Sequence, residues 1–347
     1  MPEDPTGLFD VIVVGGGPAG LFATYYAGLR GMRCLLIDSL EQLGGQLAAL
    51  YPEKFIYDVA GFPAVLARAL VQELVKQASQ YKPTIVLSEQ VRRLDSTSEN
   101  ILELSTDKAA YRSRSVIVCA GAGSFTPKRL PNVNCQEYEG RGVCYFVRDI
   151  QECRGKRVLV VGGGDSAVDW SLNLLRVTDR ITLIHRLDHF RAHEDNVKKL
   201  FASPVTIKTF HELKAVHGNE RVERATIIES RTKAEETLEV ESVLINIGFS
   251  STLGPIHDWG LTLDKHGIVA NSRMETNLPG VYAAGDVASY PGKLKLIATG
   301  FGEAAMAVNH AKAFIDPASK SFPGHSSALV PKQREGAGAG GKLDVDE

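Results

Sequence analysis

Two glycine runs constrain this chain more than anything else in it. Gly15-Gly16-Gly17-Pro18-Ala19-Gly20 follows Val11-Ile12-Val13-Val14, and Gly162-Gly163-Gly164-Asp165-Ser166-Ala167 follows Val158-Leu159-Val160-Val161. Short continuous apolar runs of this kind read as parallel strands buried on both faces. The glycines permit a tight turn and close approach of backbone to a pyrophosphate, and the start of the next helix favours the anion. A lone G-x-G-x-x-G is a weak signal, but two in strand–turn–helix settings predict two bound dinucleotides. Electron transfer between them is the natural reason for a pair.

The units are unequal when read in register. In the first, Ala19, Leu21, Phe22, Tyr25, Tyr26 and Leu29 recur at helical spacing, Gly31 punctuates, and Cys34-Leu35-Leu36-Ile37 ends in Asp38. An acid at that place can accept hydrogen bonds from both hydroxyls of an adenosine ribose. In the second, a helix over about residues 166–175 leads to Ile181-Thr182-Leu183-Ile184. The same eighteen-residue step that links Gly20 to Asp38 links Ala167 to His185. The acid has become His185-Arg186, with Arg191 beyond. A carboxylate repels a 2′-phosphate and guanidinium groups grip it, so the second dinucleotide is expected to be NADP(H) rather than NAD(H). Arginines on a solvated surface are the plainer alternative for Arg186 and Arg191.

Near the end, Val281-Tyr282-Ala283-Ala284-Gly285-Asp286 reads as a strand delivering an acid. A helix opens around Ala298-Thr299-Gly300-Phe301-Gly302-Glu303 and runs to about Ile315, with Ala305, Val308, Ala311 and Phe314 or Ile315 as its expected inner face. These elements have no place in a unit that begins near Arg157. They fit if the chain leaves the first domain through Val116-Ile117-Val118-Cys119-Ala120-Gly121 and returns through Val243-Leu244-Ile245-Asn246-Ile247-Gly248. The expected organisation is therefore one domain over residues 1–122 and 249–330, with a second, 123–248, inserted into it. The glycine-rich stretch 331–347 reads as a disordered tail.

At 347 residues the chain is long enough for two cores. A net charge of −2 gives no basic footprint for nucleic acid. No apolar run approaches the roughly 20 residues of a membrane span, and the acid-bearing start lacks a signal-peptide core, so a cytoplasmic protein is expected. Cys34, Cys119, Cys135, Cys144 and Cys153 are odd in number and include no C-x-x-C spacing. That argues against a disulfide framework, a dithiol redox centre and a metal site.

With these residues in place the chain resembles the two-dinucleotide-binding flavoproteins, and within them the thioredoxin-reductase-like type of ferredoxin–NADP(+) reductase. The likeness covers about residues 8–330. Thioredoxin reductases of this build carry a C-x-x-C before the second glycine run, where this chain reads Gly142-Val143-Cys144-Tyr145-Phe146-Val147. Dithiol exchange needs an attacking and a resolving thiol, so that reaction is disfavoured. The stretches Tyr51-Pro52-Glu53-Lys54-Phe55-Ile56-Tyr57-Asp58-Val59-Ala60-Gly61-Phe62-Pro63 and Gly292-Lys293-Leu294-Lys295-Leu296-Ile297-Ala298-Thr299-Gly300-Phe301-Gly302-Glu303-Ala304 carry the ferredoxin reductase likeness. The type often reads His-Arg-Arg where Leu187 here takes the third place.

The resemblance implies an α/β fold of two Rossmann-like domains of three-layer ββα type, FAD in the outer domain, NADPH in the inserted one, and a homodimer. It implies that FAD meets Gly15, Gly17, Pro18, Ala19, Gly20, Asp38, Gln46, Val91 (through its backbone), Phe125, Asp286 (on the ribityl chain) and Ser327. Tyr51 and His325 would stack on opposite flavin faces. From local sequence alone Tyr51 could equally be core packing and His325 a loop histidine. NADPH would meet Gly162, Gly164, Asp165, Ser166, Ala167, His185, Arg186 and Arg191. Hydride would pass from nicotinamide to flavin and electrons leave singly to a carrier, ferredoxin, with no obligatory catalytic side chain. Between Lys128 and Arg157 there are seven basic residues against four acids, a local excess suited to an acidic partner. Two other readings stay open: a diaphorase reducing flavin or quinone, and a redox-sensing flavoprotein responsive to NADPH.

Overall fold

The computed structural model describes residues 7–97, 101–320 and 324. The described residues form two compact units. One draws on the described residues within Met1–Glu41, Leu74–Ala120 and Pro255–Glu347; the other on Gln42–Glu73 and Gly121–Gly254.

The first unit is built on a parallel sheet in the order Val281–Ala283, Val116–Val118, Val11–Val14, Cys34–Ile37, Thr84–Val86. The first four of these strands are buried along their whole length. That is why they read as unbroken apolar runs rather than alternating ones. Pro18 opens the helix Pro18–Leu29, where its fixed φ suits the helix and its missing N–H costs nothing. Gly20 is required by space, since a Cβ there would lie 1.8 Å from the Gly15 carbonyl oxygen. The helix stops at Gly31, φ +67°, with Met32 N–H returning to the Ala27 carbonyl. Phe22 meets Phe301 of the helix Ile297–Ile315, ring centroids 5.2 Å apart. An antiparallel meander, Val91–Ser96, Leu102–Thr106 and Ala110–Ser113, completes the unit.

The second unit repeats the plan. Its parallel sheet runs Val143–Cys144, Ser242–Ile245, Val158–Val161, Ile181–His185, Thr206–Thr209. The meander is His211–His217, Arg224–Glu229 and Glu235–Glu239. Here the layers can be followed residue by residue. Leu159, Val161, Ile184 and Val243 cluster with Val216, Ala225 and Ile227 of the meander. Val158, Val160, Leu183 and Leu244 cluster with Ala167, Val168, Trp170 and Leu174 of the helix Asp165–Leu174. Alternate residues of one strand thus feed opposite layers, as a period of two demands. The chain enters along Ser124–Pro127 and leaves along Phe249–Thr252, and these strands pair antiparallel.

One local expectation is shifted. The buried stripe of the Ile297–Ile315 helix is Gly300, Glu303, Ala304, Ala307, Val308 and Ala311, while Phe314 is exposed. The stripe turns because a charged residue, Glu303, is drawn inside by partners that lie elsewhere in the chain. Among the described residues, no helix is long and apolar enough to cross a membrane.

Candidate functional site

In the first unit the glycine turn and Asp38 form one object. Gly16 N–H donates to Asp38 Oδ2 at 2.5 Å and Leu40 N–H to Oδ1 at 2.8 Å. Burial raises the Asp38 pKa, and the Leu40 and Gly16 amides oppose the rise. The helix Pro18–Leu29 begins at Gly17 with no side-chain cap, leaving its first N–H groups for a ligand. Glu89 N–H bonds the Asp38 carbonyl at 3.1 Å, and Val91 opens the meander two residues later. At the far strand, Gly285 turns at φ +80° and presents Asp286. Among the described residues nothing is hydrogen-bonded or ion-paired to the Asp286 side chain. Ala19, Gly285 and Gly300 interlock there: a Cβ on Gly285 would lie 3.0 Å from Ala19 Cβ, and one on Gly300 3.4 Å from it. The helix Ile297–Ile315 also starts without a side-chain cap.

In the second unit the corresponding turn is clamped differently. Gly164 caps the helix Asp165–Leu174 with no side chain, at φ −95°, and a Cβ there would meet nothing within 4 Å. That open face is the approach a pyrophosphate needs. A Cβ on Gly163 would instead meet the His185 ring at 2.2 Å. His185 is buried, stacked on Phe190 at 5.3 Å, and its Nε2 lies 3.1 Å from the His189 carbonyl. Burial lowers its pKa, and Arg186 and Arg191 push the same way, so the ring is neutral near pH 7. Arg191 N–H donates to the Gly163 carbonyl at 2.7 Å. Asp165 accepts from the His193 N–H at 2.9 Å. Arg186 and Arg191 are exposed, and neither has a carboxylate partner among the described residues. Ser166 and Ala167 lie in the first turn, the former exposed and the latter buried against the sheet.

The second unit also holds a cavity of about 260 Å³ lined by Tyr51, Tyr145, Phe146, Trp170, Asn246 and Phe249 among others. Phe146 and Phe249 stack at 5.1 Å. Asn246 follows the strand Ser242–Ile245, and its buried Oδ1 has no hydrogen-bond partner among the described residues. Tyr51 donates weakly to Gln46 Oε1 at 3.4 Å, and Lys54 pairs with Asp169 at 2.6 Å. Phe125 lies on the strand Ser124–Pro127, opposite Ser251. His325, Ser327 and the tail 331–347 lie outside the described residues.

All five thiols are free. Burial pushes Cys34 and Cys144 up to about 12 and Cys135 to about 11, and raises Cys119 and Cys153. Thiolate is the nucleophile in disulfide exchange, so these groups are poorly suited to it. Both cradles, by contrast, fit dinucleotides: an uncapped helix start, open glycine backbone, and an acid or free guanidiniums one strand away.

Sequence reasoning missed Asn246 and Glu303. A signal for Glu303 was present, an acid on a helix face otherwise made of Gly, Ala and Val.

A model of the pyridine nucleotide-disulphide oxidoreductase family matches residues 9–311. A protein from Halalkalibacterium halodurans named ferredoxin–NADP reductase is 52% identical over 93% of this chain and 98% of its own. One from Shouchella clausii named ferredoxin–NADP reductase 2 is 51% identical over 94% of this chain and 99% of its own. Among solved structures, the thioredoxin reductase of T. acidophilum aligns with a TM-score of 0.75 at 27% identity, covering 90% of this chain and 99% of that one. The chain belongs to the pyridine nucleotide-disulphide oxidoreductase family.

Proposed function

We propose that this flavoprotein is a ferredoxin–NADP reductase, moving electrons between NADPH and ferredoxin through FAD. The observation that carries the reading is the inequality of its two cradles. Asp38 is tied to the glycine turn in one, while Arg186 and Arg191, without a carboxylate partner among the described residues, flank the turn in the other. The family match and the relatives' names support the same reading.

FAD supplies hydride acceptance and single-electron release when bound. The chain's own residues bind and orient. Asp38 would accept from the adenosine ribose, the Gly15–Gly20 turn and its helix would face the pyrophosphate, Val91 would meet the adenine through its backbone, and Asp286 would take the ribityl chain. Gln46, Tyr51, Phe125, His325 and Ser327 complete the flavin site, with Tyr51 and His325 as its stacking partners. The uncapped start of Ile297–Ile315 offers amides to negative charge.

Gly162, Gly164, Asp165, Ser166 and Ala167 would hold the NADPH pyrophosphate, and Arg186 and Arg191 would hold its 2′-phosphate. His185 contributes as a neutral ring packed under Gly163. The strand Ser242–Ile245 lies on the other side of Val158–Val161 from Ile181–His185, so Asn246 and the cavity beside it are where this chain would receive the nicotinamide half.

In this reading residues 1–122 with 249–330 serve FAD, 123–248 serve NADPH, and 331–347 form a tail; that division follows the dinucleotides, whereas the compact units group Gln42–Glu73 with Gly121–Gly254. The protein is a cytoplasmic homodimer in this reading; five free thiols suit a reducing compartment, and exposed Leu294, Leu296, Met306 and Phe314 suit an interface. The basic excess over 128–157 docks the acidic ferredoxin. Steady-state turnover with NADPH tests the assignment: kcat/KM for ferredoxin should exceed that for a quinone, a ferric chelate and free flavin. A higher value for any of these would displace it. Rising salt should raise the KM for ferredoxin.

A further inference from the structure

We propose that Glu303 is a positioning residue for the flavin dinucleotide, holding the turn that presents Asp286 through a buried network with Lys293 and Tyr290. The proposal rests on the reading that the first unit holds FAD.

Glu303 is 3% exposed, inside the helix Ile297–Ile315. Its Oε2 accepts the Gly285 N–H at 2.8 Å. Its Oε1 accepts the Tyr290 hydroxyl at 2.5 Å and the Lys293 ammonium, whose own side chain is 7% exposed. A buried ion pair gains little over apolar residues of the same volume, whereas a buried charge stripped of its partner costs heavily. The trio is therefore weak as a source of stability. It is strong as a constraint, because every polar atom of the carboxylate is committed.

The constraint falls on Gly285. That residue sits at φ +80° against Ala19 on one side and Gly300 on the other, so the turn, the start of the glycine-run helix and the start of the last helix share one point. Fixing the Gly285 N–H fixes the Ala284–Gly285 peptide, and the Ala288 N–H holds the Gly285 carbonyl at 3.0 Å, so the backbone is tied on both sides of the turn that leads into Asp286. Asp286 itself has no hydrogen-bonding or ionic partner among the described residues. A buried device thus holds in place an acid that no other described residue engages. Burial and the neighbouring Glu303 carboxylate push the Tyr290 hydroxyl up to about 12, so it stays a donor throughout the working pH range.

The test uses the full chain stripped of flavin, titrated with FAD and separately with ADP, which carries only the adenosine and pyrophosphate half. E303A and E303Q should each weaken FAD binding about tenfold or more while leaving ADP within about twofold. The double variant K293M/E303Q keeps an acceptor for Gly285 and removes the stranded cation, so it should recover FAD affinity to within about threefold of wild type. If E303A does not fold, the contrast between E303Q and the double variant still decides the matter. FAD affinity unchanged in E303Q, or FAD and ADP affinities falling together, would overturn the proposal. A wild-type chain that binds ADP but not FAD would overturn the flavin reading and this proposal with it.

Discussion

Arg191 donates its backbone N–H to the Gly163 carbonyl across 2.7 Å, which fastens the loop after Ile181–His185 to the glycine turn. The bond is made by the main chain, and the exposed Arg191 guanidinium has no carboxylate partner among the described residues. R191A and R186A should therefore leave the unit folded. Each should weaken NADPH binding by about 10- to 100-fold while changing NADH binding little, because a charged hydrogen bond contributes about 1.5–3 kcal/mol. Titration with both nucleotides checks this, and equal losses for the two would remove the 2′-phosphate role.

Neighbouring glycines of that turn should respond oppositely. Gly163 has the His185 ring 2.2 Å from where a Cβ would sit, and Gly164 has nothing within 4 Å. G163A should lower the stability of the chain by about 1–3 kcal/mol, as overpacking does. G164A should leave stability within about 0.5 kcal/mol but raise the KM for NADPH, since its methyl fills the space kept for pyrophosphate. Denaturant unfolding and steady-state kinetics on the same two variants separate the effects.

The buried His185 gives an acid-side signature. Its folded pKa lies below the usual value of 6.5, chiefly through burial. The unfolded chain thus takes up the proton first as pH falls. The contribution of neutral His185 is complete above about pH 6.5 and is lost as pH falls through the folded value. Thermal midpoints between about pH 5 and 8 should drop more on the acid side for the wild type than for H185F. Parallel profiles would mean that His185 is not held neutral.

Thiol chemistry should be dispensable. Burial raises every cysteine of the chain, Cys144 to about 12. A thiol reagent at neutral pH should label the native chain slowly, and C144S/C153S should keep NADPH-driven turnover. Loss of turnover in that double variant would point back to disulfide exchange.

Much of the scaffold was legible because its strands are short, apolar and followed by glycine. Val11–Val14, Cys34–Ile37 and Val281–Ala283 have the bounds that their residues suggest. The Asp165–Leu174 helix lies one residue from its expected position. The contrast of Asp38 with Arg186 and Arg191 was legible too, because it depends only on register. What a linear reading could not reach is what distant segments decide. The ring of His185 turns under Gly163 because Phe190 and the His189 carbonyl receive it. Glu303 goes inside because Tyr290 and Lys293, ten or more residues earlier, arrive beside it. The orphan Oδ1 of Asn246 depends on how the cavity is walled, which no local pattern encodes.

The most direct measurement is an anaerobic single-turnover experiment on the flavin-loaded protein. NADPH should bleach the flavin absorbance faster than NADH does, and oxidised ferredoxin added afterwards should restore it with two ferredoxins reduced per flavin, as one-electron transfer requires. No bleaching by NADPH, or colour restored by quinone or free flavin but not by ferredoxin, would contradict the account.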